Sequence, residues 1–180
     1  MPPRVDFYVL ATEETRTRLV YACRVIEKAF LQRLRVVVNL GSAAEADGFD
    51  TLLWTFGDRS FVPHARVPDE PLAGTPAAGA LVGAAPVAGA PAGAAPAGAP
   101  PGLPHEASAE RPVPVALGCG QALPGDLLVN LAAEAPAFYE RYARVAEFVD
   151  AEPGRREAGR RRFAFYRERG AAPETHKISA

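Results

Sequence analysis

Few of the residues that carry catalysis, metal binding or crosslinking are present in this chain. Among 180 residues there are two cysteines and three histidines, and 20 Lys and Arg stand against 21 Asp and Glu, for a net charge of −1. Cys23 and Cys119 lack any metal-type spacing, so they read as reduced, packed thiols of a cytosolic protein. The start, Met-Pro-Pro-Arg-Val-Asp, has no signal-peptide layout, and no apolar run reaches membrane-spanning length, so a cytoplasmic protein without membrane contact is expected. The near-neutral balance excludes a general nucleic-acid coat, and any basic function has to be local.

The motifs of enzymes are missing as well. There is no Gly-Lys-Ser/Thr phosphate loop, no nucleophile elbow and no His/Cys cluster. Gly118-Cys119-Gly120-Gln121 begins like a dinucleotide loop. It lacks the third glycine, however, and leads through Pro124-Gly125 into a further strand instead of a helix. His64 has no partner nearby in sequence, and His105 and His176 fall at the margin of an insertion and in the tail. The expectation is a non-enzyme with no cofactor and no metal site.

What is present reads as a single three-layer α/β domain over residues 1–70 and 111–170, with a mostly parallel sheet of nucleotide-binding-like topology. Val5 to Leu10 is a β-branched and aromatic run suited to a buried first strand. Thr12, Glu13 and Glu14 supply a cap and an acidic first turn for a helix reaching about Arg33, with Leu19, Cys23, Ile26 and Phe30 as its core stripe. Arg35 to Leu40 has the continuous apolar character of a doubly covered strand. Ser42 caps a second helix ending near Trp54-Thr55-Phe56. From Pro71 to Pro104 the chain holds 13 Ala, 8 Pro and 7 Gly, a composition that cannot offset its ordering entropy. Residues 71–110 therefore read as a disordered insertion that interrupts the domain. Further strands follow at Val113 to Gly118, Asp126 to Leu131 and Arg144 to Val149, with a short helix from Pro136. Residues 171–180 read as a polar, frayed tail.

Two stretches carry the candidate function. From Gly154 to Arg169 there are seven Arg against Glu157 and Glu168, a local balance of +5. Arg156, Arg160, Phe163 and Arg167 recur at i, i+4, i+7 and i+11 and so share one helical face. The ordinary reading of such a run is a solvated face. The placement of Phe163 among arginines favours instead a seat for an acidic peptide, or less directly for a phosphate backbone. Gly159 in the middle costs roughly 1 kcal/mol against Ala, so tertiary packing must hold this helix. The second stretch groups Trp54, Phe56 and Phe61 around a loop; such rings are either buried or anchor a protein partner.

Val-Asp-Phe-Tyr-Val-Leu near the start, Leu-Leu-Trp followed by Ser-Phe-Val-Pro-His, Asp-Leu-Leu-Val-Asn-Leu, then Glu-Phe-Val and a basic helix ending Phe-Ala-Phe-Tyr-Arg together resemble the chi subunit of bacterial DNA polymerase III. The likeness covers nearly everything outside the insertion. It implies a non-catalytic accessory subunit of the clamp loader that pairs with the psi subunit and binds the acidic C-terminal tail of single-stranded DNA-binding protein, so that DNA contact is mainly indirect. In place of psi it implies, in some bacteria, a repair helicase. The family's tail-binding positions fall on Val149, Arg156, Arg160 and Phe163, and its psi-facing aromatics on Trp54 and Phe61. Two positions depart from the family habit, Arg156 where Lys is common and Phe163 where Tyr is common. A directly nucleic-acid-binding module and a small nucleotide-dependent enzyme are the rival classes.

Overall fold

The computed structural model describes residues 2–58, 60–67 and 114–178; the expected insertion at 71–110 lies outside them. Seven strands form one sheet, β1 (Arg4–Leu10), β2 (Val36–Asn39), β3 (His64–Arg66), β4 (Val115–Gly118), β5 (Leu127–Asn130), β6 (Arg144–Val149) and β7 (Glu174–Ile178), in the order β3-β4-β2-β5-β6-β1-β7. Every pairing is parallel. The helices are α1 (Thr15–Leu31), α2 (Ala43–Thr55) and α3 (Pro153–Glu168), with a 3-10 turn at Tyr139–Arg141.

The pleat of the central strands divides the core. Val36 and Val38 face α1 and α2, where Cys23, Ile26, Phe49 and Leu53 meet Leu117, Val129 and Phe148. Val37 faces the other way, toward Val5, Phe7, Leu128, Val145 and Tyr166 of the α3 side. Burying both faces is what a parallel sheet demands, and four consecutive buried residues in β2 satisfy it.

Several local expectations change. Thr12 does not cap α1: its Oγ1 accepts from the Glu14 amide, and the helix begins one residue later with no acidic residue in its first turn. The α1 stripe is rotated toward smaller side chains, with Ala22, Cys23, Ile26 and Ala29 fully buried and Leu19 and Phe30 at its margins. α1 then closes in a Schellman turn, with Arg33 left-handed at φ 62°. Ser42 does cap α2, accepting from the Glu45 amide. β1 and β2, sequential strands joined by α1, are not neighbours; β5 and β6 insert between them. His64–Arg66, a stretch to which the sequence assigned no strand, is an edge strand on β4. The short helix expected from Pro136 is only the 3-10 turn.

The largest correction concerns residues 171–180, expected to fray. Gly170 takes φ 78°, and Ala171 and Gly170 amides bond back to Tyr166 and Arg167 in a second Schellman turn. The chain is thereby redirected into β7, which pairs with β1 from Asp6↔Glu174 to Leu10↔Ile178. Two side-chain contacts reinforce that pairing: His176 Nε2 lies 2.9 Å from Asp6, and Arg4 reaches Glu174 at 2.8 Å.

Candidate protein-interaction site

α3 is positioned by its first turn. Pro153 occupies the start, where its missing N–H is harmless, and the Glu152 carboxylate accepts from the Gly154 and Arg155 amides at 2.9 and 2.7 Å. Those bonds hold the Glu152 carboxyl below its usual value. Asp150, fully buried, receives Arg155 at 2.8 Å and Arg18 at 3.2 Å, so one carboxylate ties α3 and α1 to the end of β6.

A buried polar row then clamps the helix onto the sheet. Asn39, Asn130 and Glu147 are in register across β2, β5 and β6. Asn39 donates to Asn130 at 2.9 Å, and Asn130 donates to Glu147 at 2.9 Å. Arg162 Nε and the Tyr166 hydroxyl, both from α3, also donate to Glu147, at 2.8 and 2.7 Å. Burial pushes the Glu147 carboxyl up, and Arg162 with the hydrogen bonds pulls it back only in part. Helix docking thus runs through Ala158, Gly159, Arg162 and Tyr166, and Phe165 is only half-buried. A lone Glu in the apolar run Val-Ala-Glu-Phe-Val was the available signal, since a charge in a doubly covered strand must be paired.

Gly159 is the point of closest approach. A Cβ there would come within 2.7 Å of Val149 Cγ2, so the helix lies on β6 only because this residue has no side chain. The sequence cost noted for Gly159 is therefore offset by contact.

Around that contact opens a groove of about 270 Å³ lined by Phe7, Val9, Val149, Arg156, Gly159, Arg160, Phe163 and Thr175. The four residues singled out on this helix and strand, Val149, Arg156, Arg160 and Phe163, are all on it. Phe163 is half-buried and meets Phe7 edge-on at 5.3 Å. Its ring is part of the groove wall instead of standing free among the arginines. Arg155, Arg161 and Arg162 are paired with Asp150, Glu157 and Glu147, and Arg169 lies 3.6 Å over the Phe165 ring. Among the described residues the exposed guanidinium groups of Arg156 and Arg160 have no acidic partner. Arg167, expected on the same face, is exposed without an acidic partner among the described residues but does not line the groove, which leaves Arg156 and Arg160 as the two guanidiniums available there.

The second surface lies near the opposite edge of the sheet. Trp54 is 47% exposed and Phe61 65% exposed, with ring centroids 5.3 Å apart. Phe56 separates from them and packs against the core. His64 sits behind Trp54 at 4.6 Å, with Nδ1 2.7 Å from the Val62 carbonyl and Nε2 3.2 Å from Asp50. Ser60 donates to Glu27 at 2.6 Å, anchoring the Phe61 loop on α1. Leu31, one turn beyond Glu27, is 73% exposed. Leu31, Trp54 and Phe61 are the only exposed large hydrophobics among the described residues.

Burial pushes the Cys23 thiol up to about 12, far from a reactive thiolate. In the glycine turn the Cys119 amide donates to Gln121 and the Gly120 amide to Asn39, so these N–H groups are occupied by the chain's own side chains and are not presented to a phosphate. Asp6, Glu174 and His176 bring three donor atoms within 4.8 Å of one another. Arg4 and Arg144 bond the same Asp6, and this cationic company fits an ion-pair knot better than a metal site. Among the described residues no helix is long and apolar enough to cross a membrane.

Comparison with known proteins gives one consistent result. The family model described as DNA polymerase III chi subunit, HolC, matches residues 1–86 and 101–174. A protein of Pseudomonas aeruginosa named DNA polymerase III subunit chi is 33% identical over 178 residues, covering 97% of this chain and 96% of that protein.

Proposed function

The chain belongs to the DNA polymerase III chi subunit family, and from that membership we propose that it links the psi subunit of the clamp loader to the acidic C-terminal tail of single-stranded DNA-binding protein. The coarser role, an accessory part in DNA replication, comes with the family. The observation that carries the finer reading is the convergence of Val149, Arg156, Arg160 and Phe163 on one groove, with both guanidiniums unpaired among the described residues.

In this reading Val149, Phe163 and Phe7 seat the terminal aromatic ring of the tail. Arg156 and Arg160 then pair with its carboxylates. Guanidinium forks suit carboxylates because two parallel N–H groups meet two oxygens. Tail ordering costs free energy, so affinity is of roughly micromolar order and falls with salt. The exposed Trp54–Phe61 pair takes the other partner, psi or a repair helicase in its place, through apolar burial.

The test is a titration of the full chain with an acidic peptide ending in a phenylalanine with a free carboxylate. Arg160→Ala should weaken binding about tenfold, the lower end for a charge-assisted hydrogen bond. Unchanged affinity removes Arg160, and with it this use of the groove.

A further inference from the structure

The groove has a second wall that the arginine helix does not supply. β7 runs beside β1 in the register Phe7↔Thr175 and Val9↔Lys177. Paired residues on adjacent strands project to the same face of a sheet, and alternate residues project to opposite faces. Phe7, Val9 and Thr175 all line the groove, so Lys177 rises on the groove face beside Val9. Glu174, His176 and Ile178 fall on the other face, where His176 and Glu174 engage Asp6 and Arg4 and Ile178 joins Leu10 and Tyr21 of the α1 side. Lys177 is exposed and has no carboxylate partner among the described residues.

We infer that Lys177 is a third cationic contact for the acidic ligand of this groove, and that β7 is part of the binding site as well as part of the sheet. The inference rests on the acidic-tail reading given above. A peptide laid over Phe7 and Val9 has Arg156 and Arg160 on its α3 side and Lys177 on its β7 side. Carboxylates on both sides of its backbone are thereby within a field of one sign. The two walls are not equivalent: a guanidinium makes paired, directional bonds, whereas an ammonium on a flexible stem acts as a hydrated point charge. Lys177 therefore contributes less affinity than Arg160 and contributes it mainly through long-range attraction, which salt screens. The two-walled arrangement favours a segment with several spaced acids over a single terminal carboxylate.

The experiment measures binding of a short synthetic peptide, several aspartates followed by a terminal phenylalanine, by fluorescence anisotropy with the full chain at two salt concentrations. Lys177→Glu should weaken binding about three- to tenfold at low salt and reduce its salt dependence. Lys177→Gln should give a smaller loss in the same direction. Lys28→Glu makes the same change of net charge on α1, away from the groove, and should leave the affinity unaltered. If Lys177→Glu binds like the unsubstituted chain, or if Lys28→Glu weakens binding equally, the inference falls while Arg160→Ala still reports on the groove. If Arg160→Ala also has no effect, the acidic-tail reading itself fails. A single-stranded oligonucleotide that displaces the peptide, with its own binding weakened by Lys177→Glu, overturns the peptide in favour of a phosphate chain.

Discussion

The α3 groove and the Trp54–Phe61 patch sit near opposite edges of one sheet and are built on different physics. The groove is a crevice beside β1 and β7, walled by unpaired cations and floored by apolar side chains that the fold has already packed. The patch is an exposed pair of rings with His64 against Trp54. Charge in the first case acts at a distance, is screened, and tolerates a mobile ligand. Apolar area in the second acts only on contact and is indifferent to moderate salt. The proposed function, with one partner at each surface, gives the molecule reason to separate the two in this way.

The comparison breaks outright if the buried polar row that crosses the sheet between the two surfaces loses its charge pairing. Arg162→Ala leaves Glu147 buried and unpaired, and should cost about 3–5 kcal/mol, read as a lowered urea midpoint with loss of binding at both surfaces. Replacing the group together, Glu147→Leu, Arg162→Met and Tyr166→Phe, should recover most of that loss, since no buried donor is then left without an acceptor. A near-normal midpoint for Arg162→Ala would mean that the polar row does not hold α3 down.

The comparison sharpens if the surfaces fail one at a time. Phe61→Ala should cost the apolar partner about 2 kcal/mol, roughly 30-fold, by calorimetry, with little difference between low and high salt and with peptide binding at the groove unchanged. Loss of both partners together would indicate misfolding instead.

A smaller effect separates the two through pH. Burial alone would raise the Asp6 carboxyl, but hydrogen bonds from His176 and Arg144 and the charges of Arg144 and Arg4 more than offset it, and its pKa is lowered. A lowered carboxylate stabilises the fold above its unfolded value of about 3.9 and loses that contribution as pH falls through the folded value. Asp6→Asn should therefore be less stable than the unsubstituted chain at pH 7, with the gap closing on acidification. Because Asp6 helps fasten β7, the same substitution should loosen the groove and spare the patch. A constant gap from pH 7 to pH 3 would take Asp6 out of the acid response.

Much of this layout was legible in the chain. Ser42 followed by Glu45, and Pro153 ahead of a basic amphipathic run, are local signals whose partners lie within one helical turn, and both helices start where those residues put them. The bounds of β6 agree for the same reason, since its apolar run is unbroken apart from Glu147. What the sequence hid depends on distant neighbours. Glu-Thr-His-Lys-Ile has the look of a polar tail, and becomes a strand only because Asp6, Arg4 and the edge of β1 are waiting for it. Gly159 reads as a helix weakness until Val149 is placed against it. The arginines of α3 are alike in sequence; only Asp150, Glu147 and Glu157 decide which of them are taken.

The position of β1 has a consequence for how the molecule is made. Its hydrogen-bonded neighbours are β6 and β7 alone, and Asp6 bonds side chains 138 and 170 positions away. During synthesis this first strand emerges with no mate and must wait, through the Ala/Pro/Gly tract, until almost everything else has been translated. Such late closure slows folding and leaves an apolar ribbon uncovered on the ribosome. The half of the groove floor that β1 provides is therefore among the last parts of the protein to come into being.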